Sequence, residues 1–385
     1  MPASTTPEFP AEIIRVRLEQ SSVDLLVEAI KQRLFGTVRR PLIVLGTEDK
    51  QVEKALQNLP PATLTSDVIL ATSGSTRGRP HLVGLSWEAL RASAGRTIDF
   101  LGPARWLLPL PPHHIAGFQV LVRSVLLGVS PLVVGRTEDI PAAVAAAREP
   151  LITALVPTQL RRLQGEDLSG LSRILVGGAR LDPALARQCA HLPLVTTYGM
   201  TETCGGCVYN SRPLPGIEVR IESGLVHLSG PVLMDGYLGE PSPLVTLDGT
   251  RYLVTSDLGR MDEGRLTIEG RADHVIISGG ENLSPGTIEE AIGSWRPDLN
   301  AVVVGVDDPD WGQVAVAALE GAGSPALVGP KLRAAVSAQL GAHHAPRAVV
   351  FVGDLPLLSS GKVDRRRLVV TVTEMISKQD CWSVD

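Results

Sequence analysis

A series of short apolar runs constrains this chain more than any other feature: Pro41–Leu45, Val68–Ala71, Trp106–Leu110, Pro131–Val134, Ile152–Val156, Ile174–Val176 and Leu194–Thr197. Each is too short for a buried helix. Their apolar character is continuous rather than alternating, which marks strands covered on both faces, as in a parallel sheet. Helical patterns lie between them, including the alanine-rich Ala142–Arg148, and this rhythm predicts an α/β layer. Ahead of all the runs, Ser22–Phe35 predicts an amphipathic helix with Leu26, Ile30 and Leu34 on one face and Gly36 placed to stop it.

From Gly216 the pattern changes to alternation, in Glu218–Glu222, Leu225–Leu228 and Arg265–Glu269, with glycines at the turns. Alternation predicts antiparallel sheet or a small barrel. Beyond Asp273 a third texture predicts a helix opened by Pro285 and carrying Glu289 and Glu290, strands at Ala301–Val306 and Val314–Leu319, a helix around Leu332–Leu340 and a strand at Ala348–Val352. That is a small α+β domain. The tail after Val370 is more polar and is expected to be loosely held. The expected fold class is therefore α/β: a large N-terminal domain (1–272) of layered mixed and parallel sheets with helices and a small β-barrel-like portion, then a small α+β C-terminal domain (273–385).

At 385 residues with 44% hydrophobic content the chain can bury real cores. Its net charge of −5 comes from interspersed charges, with no basic block for nucleic acid or a membrane surface, so small molecules are the expected partners. No stretch approaches the ~18 apolar residues a membrane span needs, and Met1–Pro10 lacks the pattern of a leader, which reads as a cytoplasmic protein. The four cysteines are too few and scattered for a disulfide framework. Cys204 and Cys207 form a C-x-x-C that suits a redox pair or half a zinc site. No second pair or His cluster completes it, and the structural reading is preferred.

The segment Thr72-Ser73-Gly74-Ser75-Thr76-Arg77-Gly78-Arg79-Pro80 follows one of the apolar runs and gathers hydroxyls, glycines and two guanidinium groups. Glycines let backbone N–H groups turn inward and Arg grips phosphate oxygens bidentately, so this composition suits polyphosphate; alone, it also describes a surface turn. The G-x-x-x-x-G-K-[ST] loop of ordinary NTPases is absent. Directly after another run, Tyr198-Gly199-Met200-Thr201-Glu202-Thr203 offers an aromatic face for a base, a hydroxyl for a phosphate and a carboxylate for Mg²⁺. Thr255-Ser256-Asp257 and Gly270-Arg271-Ala272-Asp273 follow, and an Asp can take both hydroxyls of a ribose.

With these motifs, the stretch from Asp67 to Leu368 resembles the adenylate-forming superfamily of acyl-CoA synthetases, luciferases and peptide-synthetase adenylation domains. The phosphate segment, Pro109–Gly117, Gly177-Gly178-Ala179, Tyr198–Glu202, Asp257, Gly270–Asp273, Ser278–Asn282 and Ser360-Gly361-Lys362 come in the family's order. The resemblance implies ATP, Mg²⁺ and coenzyme A as cofactor and co-substrates. It implies a phosphate loop of Thr72, Ser73, Gly74, Ser75, Thr76, Gly78 and Arg79. Gly177, Gly178 and Ala179 would line the adenine and acyl site, Tyr198, with Gly199 and Met200, would stack on the base, Thr201 would bind the α-phosphate and Glu202 would hold Mg²⁺. Asp257 and Arg271 would take the ribose hydroxyls. His114 looks like the gate beside the acyl carboxylate, where the residue alone reads rather as a packed or solvent-bonded imidazole. Lys362 would bridge carboxylate and α-phosphate. A mobile C-terminal domain would then turn about a hinge at Asp273, presenting Gly279 and Gly280 to the pantetheine arm.

Within the superfamily the chain looks most like the o-succinylbenzoate–CoA ligases of menaquinone biosynthesis. It departs from the family where Arg77 looks inserted and where His81 follows Pro80 in place of a lysine, so Arg77 or Arg79 would supply the loop's charge. The loop also lies unusually early, which implies an abbreviated N-terminal sheet region, with an acyl pocket either more open or completed in a homodimer. Two other functions are weighed beside the CoA ligase: an adenylation enzyme that loads a carrier protein, and a degenerate nucleotide-binding protein.

Overall fold

In the computed structural model of this protein, residues 11–72 and 80–384 are described. Ser73–Arg79, the body of the expected phosphate loop, lie outside the described residues. The chain divides into two compact units: residues 1–180, 191–220 and 227–254 form one, and 181–190, 221–226 and 255–385 the other.

Every apolar run of the first unit forms a strand. The larger sheet has the order Arg212–Pro213, Gly205–Tyr209, Leu194–Met200, Leu171–Gly177, Leu151–Leu155, Arg105–Leu108, Leu132–Val133. Its last five strands are mutually parallel and the first two are an antiparallel edge. The smaller sheet runs Glu12–Arg15, Leu42–Leu45, Val68–Ala71, Leu82–Leu85, Gly236–Tyr237, parallel in its first three strands and antiparallel after. Continuous burial of Leu42–Leu45, Val68–Ala71 and Leu151–Leu155 is what made them continuous apolar runs. The amphipathic helix is Gln20–Leu34, with Leu26, Ile30 and Leu34 buried. A Cβ on Gly36 would lie 2.3 Å from the Gln32 carbonyl oxygen, so glycine alone allows the chain to leave the helix at that angle.

Of the alternating segments, Arg265–Glu269 lies in an antiparallel pair as expected, and Glu218–Glu222 and Leu225–Ser229 are neighbouring strands of the same sheet. In the first unit Leu244–Leu247 pairs with Thr250–Leu253, and in the second Asp257–Asp262 pairs with Arg265–Arg271.

The second unit is built around a sheet whose two faces separate strictly by residue parity. Val303, Ala315, Ala317, Leu319 and Val349 face one core, which includes Ile288 and Ile292 of helix Pro285–Trp295 and Leu332 and Val336 of helix Pro325–Leu340. Val302, Val304, Val316, Ala318 and Val350 face another, closed by Leu368 and Val372 of helix Arg365–Ser377. Two expectations change here. The tail after Val370 is not loosely held: an i, i+4 stripe of fully buried Leu368 and Val372 packs it on the second face, and Trp382–Ser383 pairs with Ala348–Val349. The helix expected around Leu332–Leu340 begins at Pro325, whose missing N–H suits a first turn, and it continues through Pro330.

No helix among the described residues is long and apolar enough to cross a membrane. Replacing Leu368 with Ala should destabilise the full chain by about 2–5 kcal/mol, read as a lower denaturant midpoint at unchanged slope. Leu25→Ala, on the exposed face of the first helix, should stay within about 0.5 kcal/mol of wild type.

Candidate active site

In the first unit the candidate residues collect at the C-terminal ends of two parallel strands. Gly177 pairs in register with Thr197, which sets Gly177, Gly178 and Ala179 beside Tyr198. A Cβ on Gly177 would lie 2.6 Å from Thr197 Cγ2, and Gly178 has φ +80, so these glycines are fixed by close approach and backbone conformation. Gly199 is as tightly constrained, since a Cβ there would lie 2.1 Å from the Gly205 carbonyl oxygen.

The strand then breaks into a short turn, Thr201–Thr203, which reverses it into Gly205–Tyr209. Thr203 Oγ1 accepts from Met200 N at 2.9 Å and donates to Gly205 O at 2.8 Å. Cys204 occupies the left-handed region at φ 50, and its carbonyl accepts from Ser93 Oγ and Gln119 Nε2, both at 2.8 Å. These bonds present Thr201 and Glu202, each only 8% exposed. Tyr237 OH donates to Glu202 Oε1 at 2.7 Å. His114 caps helix Ile115–Leu127, the helix that carries Gln119, and its ring lies 4.3 Å from that of His113. A Cβ on Gly117 would lie 2.3 Å from the Pro111 carbonyl oxygen, so the Pro109–Gly117 motif is a turn that closes only with glycine.

At the ends of the undescribed segment, Thr72 N donates to His81 O at 2.9 Å and His81 N donates to Thr72 Oγ1 at 3.0 Å. Thr72 and His81 thus form the neck of the expected phosphate loop.

The second unit holds the remaining candidates. Asp257 and Arg271 are cross-strand partners. Arg271 forks onto Asp273 through two bonds of 2.8 Å and reaches Asp257 Oδ1 at 3.4 Å. Burial works against the Asp273 charge, but the Arg271 fork and its positive charge outweigh it and hold the carboxyl below its ordinary pKa. Neighbouring His274 is pulled down to about 4, first by burial and then by the charge of Arg365, and is neutral at pH 7. Gly279 and Gly280, both at positive φ, are the two-residue loop of a hairpin in which Ser278 pairs with Glu281, the geometry of a type I′ turn. Lys362 lies in a loop closed by the Leu357–Val363 bridge, with Leu358 N donating to Lys362 O at 2.8 Å and Gly361 at φ +78. The structure therefore groups Gly177–Ala179, Tyr198–Glu202, His114 and the Thr72 neck in one unit, and Asp257, Arg271, Asp273, Gly279, Gly280 and Lys362 in the other.

Residues 2–238, more than half of the chain, match the AMP-binding enzyme family, and residues 287–362 match the AMP-binding enzyme C-terminal domain. The chain belongs to the AMP-binding enzyme family. It is 36% identical over 370 residues to a probable 2-succinylbenzoate–CoA ligase of Mycobacterium tuberculosis, covering 91% of this chain and 95% of that protein. It is 32% identical over 351 residues to an indoleacetate–CoA ligase of Aromatoleum aromaticum, covering 80% and 68%. Its fold is shared with O-succinylbenzoate coenzyme A synthetase from Bacillus subtilis, solved in complex with ATP and magnesium ion, at a TM-score of 0.74 and 24% identity over 92% of this chain and 88% of that one.

Three features of this AMP-binding enzyme were not read from its sequence. Gln119 ties the helix behind His114 to the Glu202 turn, and Tyr237 holds the Glu202 carboxylate. Arg123 is buried, with its guanidinium 4.0 Å from the Trp106 ring and its Nε without a hydrogen-bond partner. Burial lowers its pKa to about 10, against the opposing influence of Tyr209, so it remains a cation at pH 7. A charged residue inside an apolar helix pattern was the available signal. The C-x-x-C sulfurs are buried and their pKa values are pushed up, first by burial, so neither is presented as a thiolate.

The pH dependence follows from His274. Between about pH 6.5 and 4 the unfolded chain binds a proton at this position that the folded chain does not, so stability falls as pH falls through that window. His274→Gln should flatten this part of the stability profile, measured by denaturant unfolding at stepped pH.

Proposed function

We propose that this chain is an ATP-dependent acid–CoA ligase, forming an acyl-adenylate and then an acyl-CoA thioester, with o-succinylbenzoate as its acid in menaquinone biosynthesis. The observation that carries the proposal is the Tyr198–Glu202 turn: an aromatic ring, a hydroxyl and a buried carboxylate on one strand end, beside the Gly177–Ala179 turn. Likeness to 2-succinylbenzoate–CoA ligases over nearly the whole chain supports the acid.

In the first half-reaction a substrate carboxylate oxygen bonds to the α-phosphorus of ATP while the bond to pyrophosphate breaks. Tyr198 and Gly177–Ala179 would hold the base, Thr201 the α-phosphate, and Asp257 with Arg271 the ribose. The loop from Thr72 to Arg79 would take the outer phosphates, with Arg77 or Arg79 supplying charge. Among the described residues no three His, Cys, Asp or Glu side chains form a cage, and the buried Glu202 is an oxygen donor. That suits Mg²⁺, which is ordinarily held by one or two carboxylates together with substrate phosphates. Bound there, Mg²⁺ would neutralise phosphate charge. Lys362 would bridge carboxylate and α-phosphate, and His114 would stand beside the acyl group.

In the second half-reaction the CoA thiolate attacks the acyl carbonyl and AMP leaves with the electron pair of the broken bond. The C-terminal domain, residues 273–385, would turn at Asp273, withdrawing Lys362 and bringing the Gly279-Gly280 hairpin tip toward the pantetheine arm. The proposal includes a cytoplasmic location, small-molecule partners without nucleic acid, and a homodimer, which sedimentation of the full chain tests.

Identity of 36% to a 2-succinylbenzoate–CoA ligase over 91% of the chain, against 32% to an indoleacetate–CoA ligase over 80%, favours the dicarboxylic acid. With ATP, Mg²⁺ and CoA, the purified enzyme should form thioester from o-succinylbenzoate far faster than from indoleacetate. AMP release without a CoA thioester would instead favour loading of a carrier protein. Lys362→Ala should abolish pyrophosphate release yet spare thioester formation from supplied acyl-adenylate; equal loss of both would count against alternation of the C-terminal domain.

A further inference from the structure

The residue that follows the phosphate segment is connected to the proposed metal carboxylate. The neck bonds between Thr72 and His81 fix the His81 backbone, and strand Leu82–Leu85 begins immediately after. That strand pairs antiparallel with Gly236–Tyr237, with Val83 opposite Tyr237, and Leu238 N donates to Leu82 O at 2.9 Å. Two residues before Val83, His81 emerges on the face of Tyr237 as its diagonal neighbour, within the reach of two rings. Their rings stack at 4.6 Å, with planes 13° apart. His81 Nδ1 lies 3.0 Å from Glu240 Oε2, which fixes the imidazole within its plane. Tyr237 OH, on the other side of the stack, donates to Glu202 Oε1.

We infer that His81 and Tyr237 form a positioning pair for Glu202: the imidazole at the neck of the phosphate loop braces the phenol that orients the carboxylate. The inference rests on the proposed role of Glu202 toward Mg²⁺ and ATP. A carboxylate can rotate about its last bond, and a phenol that donates to one oxygen fixes where the other points. A phenol clamped by a stacked ring holds that direction better than a loose one. The same geometry gives position 81 a different task from the lysine of related phosphate loops, because its ring is committed to Tyr237 and Glu240.

The test is equilibrium binding of ATP to the full chain by calorimetry, with and without Mg²⁺, with no acid present. His81→Ala and Tyr237→Phe should each weaken binding of MgATP roughly tenfold, and leave binding of ATP without Mg²⁺ within about twofold. The double variant should be no more than about twofold weaker than the worse single one, since both interrupt one connection. His81→Phe, which keeps the stacked ring, should recover most of the loss. Losses of equal size with and without Mg²⁺, or losses that multiply in the double variant, overturn the inference. Should His81→Ala not fold by thermal unfolding, Tyr237→Phe, which removes only a hydroxyl, decides alone. A wild type that binds MgATP but forms no thioester with any acid sinks the functional reading and not this one; a wild type that binds no MgATP sinks both.

Discussion

The carbonyl oxygen of Cys204 accepts from Ser93 Oγ and from Gln119 Nε2, and through this shared acceptor the turn bearing Thr201 and Glu202 is bolted to two helices. A strand end that reverses after three residues leaves several backbone groups without ladder partners, and buried polar groups of that kind must be met by side chains. Here Thr203 meets those on one side and the two helical side chains those on the other. The left-handed backbone of Cys204 is the cost of aiming that carbonyl at the helices. Because helix Ile115–Leu127 supplies Gln119 and is itself capped by His114, the candidate acyl gate and the candidate phosphate turn share one support.

What the sequence made legible depends on how local the physics is. Val68–Ala71 and Leu151–Leu155 read correctly as strands because burial on both faces writes itself into consecutive residues. The last helix was missed because only Leu368 and Val372 of Arg365–Ser377 are fully buried, while Val369, Met375 and Ile376, which also pack on the core, are interspersed with Thr371, Thr373 and Glu374. The apolar face it covers belongs to strands many residues earlier, and no window around Val370 contains that information. The same contrast holds at the site. Tyr198–Glu202 and Gly177–Ala179 are contiguous motifs whose local geometry demands glycine or a turn, so they were visible. Tyr237 matters only because it meets Glu202 across 35 positions of chain, and its own strand is two residues long. The glycine pair at 279 and 280 was read for the room it leaves a ligand, and the hairpin shows that positive φ requires it in any case.

Partner chemistry separates the charged groups that are met by an opposite charge from those that are not. Asp273 is matched by a guanidinium fork, and Glu289 by Arg365 at 2.6 Å; in each pair the charges satisfy one another. Glu202 instead receives a neutral phenol, which fixes its direction while leaving its negative charge available to a cation. Arg123 is its mirror image, a buried cation whose close neighbours are the Trp106 ring and the Tyr209 hydroxyl, which stabilise it without cancelling it. An uncompensated charge kept inside a protein destabilises the empty enzyme, and it persists where a bound partner of opposite sign returns more than that loss. By this criterion Glu202 and Arg123 differ from Asp273 and Arg271, which secure each other.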